Sequence, residues 1–351
     1  ATAHLEAAMR LAAQSDAQCG RALRDVQREA WLMLGDLASL ADDLDRANAC
    51  YDRALALTED EAERRAVRNR HHRPAHATRN GARIVFYEHG SGAPAVVFVN
   101  PIVYGLATFQ PILERLCQDF RIITVDCRGA GRSDPIERPY GVMEHAEDLR
   151  AVIETAGAAP IVGVGISRGS NQLLRLAHRH PELVAKLMIV GTPTGSAGLD
   201  GKSFFHPDYL KRRAEAYGRE DLDALIRLQA EFVYTEENAA ELRRMHIARC
   251  QGLPRETILS FYEPDPGMDV VPILGSIRVP TLVAHGREDR LNSFAAAEFI
   301  AARLPDARLY AFEGKGHNPM FSATDEFCEV LKRFVRTGDA GARVSAVEAI
   351  A

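Results

Sequence analysis

No stretch of this sequence reaches the roughly 20 consecutive apolar residues that a membrane-spanning helix needs. No broad basic excess is present either: 43 Lys and Arg stand against 48 Asp and Glu, for a formal charge of −5. A membrane span and a nucleic-acid binder driven by a basic surface are both disfavoured. The six cysteines, Cys19, Cys50, Cys117, Cys127, Cys250 and Cys328, never fall into a paired C-x-x-C spacing. A zinc knuckle, a redox motif and a disulfide scaffold therefore lack support, and reduced thiols in a cytoplasmic setting fit better. Acids and arginines occupy the first 30 residues, where a secretory signal would need an apolar block. H-E-x-x-H is missing, as is any tight His/Asp/Cys cluster. Gly129-Ala130-Gly131 and Gly163-Val164-Gly165 lack the continuation of a phosphate-binding loop or a dinucleotide fingerprint. The reading therefore carries no metal and no cofactor.

What is there suits a globular chain: 351 residues, 46% hydrophobic and 26% charged, enough for one large domain and a small accessory. Residues 1–66 contain no Pro and read as helical throughout, already at Ala1, which leaves room for a further domain upstream. Trp31, Leu34, Leu37 and Leu40, then Ala47, Tyr51, Ala54 and Leu57, form two apolar faces of 3.6-residue period on either side of Asp42-Asp43-Leu44-Asp45. Trp31, Leu34, Gly35, Ala47, Tyr51 and Ala54 stand at the offsets of the tetratricopeptide signature, and this hairpin resembles such a repeat, with Ala38 and Glu59 departing from it. Its apolar face implies docking on the rest of the chain, in a homodimer, or on a protein partner. From Arg64 to Arg79 there are six arginines, three histidines and no acid. This run, 67–79 in particular, is expected to be a solvated linker.

Beyond it the period changes. Short apolar strands at 83–88, 95–99, 121–125, 160–164, 184–190, 281–285 and 307–312 alternate with helices. That pattern predicts an α/β domain over 80–336 with a mostly parallel sheet covered on both faces. From 194 to 276 the alternation gives way to helical text, read as an insertion. Residues 337–351 read as a loose tail.

The sharpest signal is Gly165-Ile166-Ser167-Arg168-Gly169, placed between the apolar strand ending at Val164 and a helix carrying Leu173, Leu174 and Leu176. In a strand–turn–helix setting, glycines at 165 and 169 admit a strained turn that lifts the serine hydroxyl above the sheet edge. Serine is a weak nucleophile at neutral pH and needs a base held by a third group. His317, in the Gly-rich loop after the last strand, is the candidate base. Asp289, in the turn after the strand 281–285, is the candidate orienter, with Glu288 as its rival and Asp265 and Asp269 behind. His285 reads as structural. Oxyanion donors are expected from the backbone N–H of Arg168 and, in the loop after 95–99, of Ile102, since Pro101 has none.

With these motifs in place, residues 80–336 resemble the α/β-hydrolase fold family. The run from Asp126 to Asp134 matches a second family signature, which implies structural roles for Asp126 and Arg128. Asn100-Pro101 stands where the family commonly has His-Gly. The resemblance makes 194–276 a helical cap over the nucleophile. Phe204, Phe205, Tyr209, Phe232, Tyr234, Met245, Phe261 and Tyr262 are its candidate pocket walls, and His206, Arg243, Arg244 and His246 its candidate polar contacts. It implies a serine hydrolase that cleaves a small-molecule ester, lactone or thioester through an acyl-enzyme. The alternatives are an acyltransferase using the same intermediate and a non-catalytic sensor or scaffold. No nucleic-acid or membrane partner is implied.

Overall fold

The computed structural model describes residues 21–40, 43–100, 109–137, 139–194, 203–235 and 239–340. The chain resolves into two compact units. One comprises residues 1–75, 87–93 and 105–122, and the other residues 76–86, 94–104 and 123–351.

Within the first unit lie helices α1 (Arg21–Leu40), α2 (Leu44–Ala56), α3 (Glu61–Arg70) and α4 (Gln110–Leu116). α1 and α2 pack through the small residues that the sequence places between them: a Cβ on Gly35 would lie 2.4 Å from the Tyr51 ring. Tyr51, Ala47 and Ala54 are buried with Leu32 and Val67. Asp43 and Asp60 cap α2 and α3 by accepting from Arg46 N and Glu63 N. The expected helical partner from Leu5 onward lies largely outside the described residues.

The expected linker is a correction. Its first half is the end of α3, whose first turn carries Glu61 and Glu63 and whose last turn carries Arg68 and Arg70. That charge order complements the helix dipole, so the arginine run is a helix C-terminus instead of a solvated spacer. Its second half is strand β1 (Arg73–Arg79), in which only Ala77 is buried. Arg73, Pro74 and His76, all exposed, hide it as a strand in the sequence. Pro74, which has no N–H to give a ladder, is tolerated because β1 lies at the sheet edge.

The remaining strands are β2 (Ala82–His89), β3 (Ala95–Val99), β4 (Arg121–Val125), β5 (Ile161–Ile166), β6 (Val184–Val190), β7 (Thr281–Gly286) and β8 (Ala307–Phe312), in the order β1-β2-β4-β3-β5-β6-β7-β8. From β3 onward the neighbours are parallel, with Val99 opposite Gly165, Gly165 opposite Ile189, Ile189 opposite Val283 and Val283 opposite Leu309. Every residue of β3, β5 and β7 is buried, as expected where helices cover both faces. The covering helices in the second unit include α5 (Val142–Thr155), α6 (Arg168–Arg179), α11 (Phe294–Ala301), the short α12 (Pro319–Ser322) and α13 (Thr324–Thr337). α13 ends at Gly338 in the left-handed conformation, and residues 341–351 lie outside the described set.

Between β6 and β7 the chain builds the cap: α7 (Pro207–Gly218), α8 (Leu222–Val233), α9 (Ala239–Gln251) and α10 (Arg255–Tyr262). It has its own core, with Leu225, Ile226, Phe232, Val233 and Tyr262 buried together. Each such side chain contributes about 1.5–3 kcal/mol by leaving water. Tyr262 is both buried and satisfied, its hydroxyl donating to Leu225 O at 3.0 Å.

Candidate active site

Ser167 joins β5 to α6 with φ 51° and ψ −123°, a conformation that costs a non-glycine residue energy and must be imposed by its surroundings. The imposition is visible on both sides. A Cβ on Gly165 would stand 2.6 Å from Ser170 Cα, and one on Gly169 2.1 Å from Val99 O, so the turn closes only with glycine at both places. Ser167 N donates to Val190 O at 2.7 Å, and Ser170 Oγ donates to Gly165 O at 2.8 Å, binding the elbow to β6 and back to β5. Arg168 begins α6, so its N–H is one of those a helix leaves without an internal partner.

Asp289 and His317 meet on the same edge. His317 Nδ1 donates to Asp289 Oδ2 at 2.7 Å, with both side chains buried. The two loops that carry them are knitted: Glu288 N donates to Lys315 O at 2.8 Å, Arg287 N to Phe312 O at 3.0 Å, and a Cβ on Gly286 would lie 1.9 Å from Gly316 O. Asp289 Oδ1 accepts from Leu291 N and Asn292 N. His285 supplies a further donor, its Nε2 lying 3.0 Å from Asp289 Oδ2 and 2.9 Å from Asn292 O. Burial opposes the charge on Asp289, yet the imidazoles of His317 and His285 outweigh it and hold the carboxyl well below the usual carboxylate range.

His317 lies beside the end of β6, the strand next to the β5 that leads into Ser167. A Cβ on Gly191 would be 3.0 Å from His317 Cε1, and Gly191 directly follows Val190, the acceptor of Ser167 N. With Nδ1 committed to Asp289, Nε2 is the ring atom left for proton transfer. Of the rival acids, Glu288 is exposed. Asp265 is taken by Arg168 at 2.6 Å and by Val142 N at 2.8 Å, while Asp269 Oδ1 accepts from Val271 N. Ile102 lies outside the described residues. Asp126 accepts from Arg132 N, and Arg128 pairs with Asp148 at 2.7 Å, both within the turn and its support.

Ser167 opens onto a cavity of about 640 Å3 between the elbow and the cap. Phe205, Tyr209, Phe261 and Tyr262 are on its wall, as the sequence suggested. Phe232 and Tyr234 belong to the cap core, Phe204 packs on Phe299, and Met245 is exposed. The four polar candidates fall elsewhere. His206 caps α7, Arg243 donates to Tyr234 O, Arg244 pairs with Glu241, and His246 is buried beside Cys250. The polar side chains that do line the cavity include Arg213 and Gln229, which sequence reasoning missed because both sit at ordinary helical spacing in charged or amphipathic text.

Curated relatives include the 2-hydroxy-6-oxononadienedioate/2-hydroxy-6-oxononatrienedioate hydrolase 1 of Dechloromonas aromatica, 28% identical over 261 residues, which span 70% of this chain and 88% of the relative. Among solved structures, Est816, described as an N-acyl homoserine lactone degrading enzyme, superposes with a TM-score of 0.65 at 25% identity, over 74% of this chain and 100% of that one. The enol-lactonase from Burkholderia xenovorans LB400 shares the fold with a TM-score of 0.65 at 23% identity, over 75% of this chain and all of that one. The model of the alpha/beta hydrolase fold matches residues 85–324, a stretch that holds the elbow, the acid and the imidazole together, and it is to that family that the chain belongs.

Proposed function

We propose that the chain is a serine hydrolase that cleaves a carboxylic ester, lactone or thioester through an acyl-enzyme on Ser167. The observation that carries this reading is the strained elbow at Ser167, after β5, with a buried Asp289–His317 pair beside the end of the neighbouring strand β6. Ser167 Oγ attacks the acyl carbon and passes its proton to His317 Nε2, while Asp289 fixes the ring through Nδ1–H and stabilises the imidazolium. The tetrahedral oxyanion takes the Arg168 N–H as one donor, and Ile102 N–H is our candidate for the second. His317 then gives its proton to the leaving group. A water activated by the same nitrogen releases the acid and restores Ser167. An alcohol or amine in place of that water would make the same intermediate an acyl donor. These steps call for no cofactor.

The lactone-degrading activity in the description of Est816 supports this substrate range. Among the described residues Cys50, Cys117, Cys127, Cys250 and Cys328 are in no disulfide, which supports a reducing, cytoplasmic setting. For α1 and α2 we retain the tetratricopeptide-like reading, with a docking role in a homodimer or on a protein partner. A fluorophosphonate probe tests the central claim. It should label the wild-type chain at Ser167, and Ser167→Ala should lose both the label and turnover of short p-nitrophenyl esters at unchanged thermal melting. A wild-type chain left unlabelled, or a variant that still turns over, overturns the reading.

A further inference from the structure

The cavity above Ser167 has two guanidinium groups on its wall, and only one is matched by a carboxylate. Arg168 is spent: Nη2 donates to Asp265 Oδ2 at 2.6 Å and Nη1 to Phe261 O at 3.0 Å. Arg213, on α7 of the cap, is half-buried on the same wall. Its Nη2 donates to the Tyr262 carbonyl at 3.1 Å, and it forms no ion pair among the described residues. Glu263 and Asp269 also reach the lining, but neither lies in ion-pair range of Arg213. The guanidinium therefore keeps most of its five donors for something else.

Its neighbours on the cavity wall offer donors too. Tyr209 and Gln229 line the same space, and Tyr209 Oη donates to Gln229 Oε1 at 2.5 Å. Burial pushes the Tyr209 hydroxyl up to about 12, so it keeps the proton it donates. With Oε1 occupied, what Gln229 has to offer a ligand is its Nε2 amide. Apart from Glu263, the remaining cap-side wall is apolar, from Phe205, Leu210, Tyr217 and Phe261. An unmatched arginine and an amide donor set in such a wall suit a planar anion on an apolar stem.

We propose that Arg213, supported by Gln229, is the recognition point for a carboxylate at the end of the substrate remote from the scissile acyl group, so that the substrate class is an acyl compound carrying a second, free carboxylate. The inference rests on the hydrolase reading for the acyl end alone. Substrate enters with its carboxylate against the cap and its acyl carbon over Ser167, and the cap helix α7 reads the difference between a half-ester of a diacid and a neutral ester of the same length.

Two arms test it. In the first, kcat/KM is measured for mono-p-nitrophenyl esters of succinic, glutaric, adipic and suberic acids, each against the neutral p-nitrophenyl ester of matching chain length. The wild-type chain should favour the charged ester at one or two lengths. Arg213→Gln should cut that charged-to-neutral ratio at least about tenfold, through KM, since the variant loses a hydrogen bond to a charged group. Arg213→Lys should recover part of it. In the second arm, calorimetry on Ser167→Ala compares the monomethyl esters of the same diacids with their neutral counterparts, and so reads recognition without turnover. Binding of the charged esters that is abolished by adding Arg213→Gln upholds the proposal even if no ester is hydrolysed, a result that would count against the hydrolase reading alone. Equal affinity for charged and neutral esters, binding of neither, or a ratio untouched by Arg213→Gln overturns it.

Discussion

Arg168 and Asp265 form a buried ion pair, Nη2 to Oδ2 at 2.6 Å, that ties the residue following Ser167 to the segment leaving the cap. Asp265 also accepts from Val142 N, at the start of α5, and from Gly267 N, while Arg168 donates to Phe261 O at the end of α10. One pair thus fixes the elbow helix, α5 and the cap's last turn to one another. Its value shows when it is broken, because a lone buried charge has no solvent to turn to. Asp265→Ala should destabilise the chain by about 3–5 kcal/mol in urea denaturation. Replacing both partners, Arg168→Met with Asp265→Leu, should lose clearly less than the single Asp265→Ala. If the double variant is as unstable as the sum of the two single ones, the pair is not coupled and this account fails.

The acid assignment makes a sharper forecast. Asp289 accepts from His317 Nδ1 and is buried, whereas Glu288 is exposed and touches the site only through its backbone. Asp289→Asn should keep the fold and lower kcat by about four orders of magnitude, because the imidazole loses its carboxylate and takes the wrong tautomer. Glu288→Gln should change kcat less than threefold. Steady-state kinetics on the two variants decide it, and a reversed pattern would move the role to Glu288.

Much of this is legible in the sequence, for physical reasons. β3, β4, β6 and β8 fall on the expected residues because short apolar runs between turns admit one register in a buried sheet. The elbow is readable because a strand–turn–helix junction this tight admits only glycine at both places: Gly165 faces the Ser170 backbone within the turn, and Gly169 faces Val99 O of β3. β1 was missed because an edge strand needs little apolar surface, and only Ala77 of its seven residues is buried. Arg213 and Gln229 were missed for a related reason. On an amphipathic helix, residues facing a cavity carry the same period as residues facing a neighbouring helix, so only the tertiary arrangement separates a wall from a core. His285 was read as structural, and its position three ångströms from Asp289 adds a task that its strand context alone could not reveal.

That task is testable. His285 Nε2 donates to Asn292 O at 2.9 Å and lies 3.0 Å from the Oδ2 that His317 uses, so its N–H dipole draws negative charge from that oxygen. Without that donor, Asp289 becomes a stronger acceptor and favours the protonated form of His317. His285→Phe, whose ring can keep the packing on Phe294, should therefore move the acid limb of kcat/KM to higher pH, by up to about one unit. A purely structural histidine would lower stability or kcat without moving the limb. An unchanged profile in a variant with native thermal melting would remove His285 from the site.

Acid should weaken the fold before it reaches the carboxylates. Burial pushes His145 down to about 3 and His246 to about 4, both aided by nearby arginines. In the unfolded chain each titrates near 6.5. Between those values the unfolded state binds more protons than the folded one, so stability rises with pH across the interval and falls as the solution is acidified from about 6.5. From pH 7 to pH 5 each histidine should remove on the order of 2 kcal/mol. Asp289 acts in a lower window. Its folded carboxyl sits below its unfolded value, so its contribution is complete above about 4 and fades only beneath that. Two stages of acid loss should follow, and replacing His246 by Phe should shrink the first and leave the second. Urea midpoints measured at half-unit steps from pH 7.5 to about pH 2 would show it. A midpoint that stays level from pH 7 to pH 5 would mean that these histidines are protonated in the folded chain.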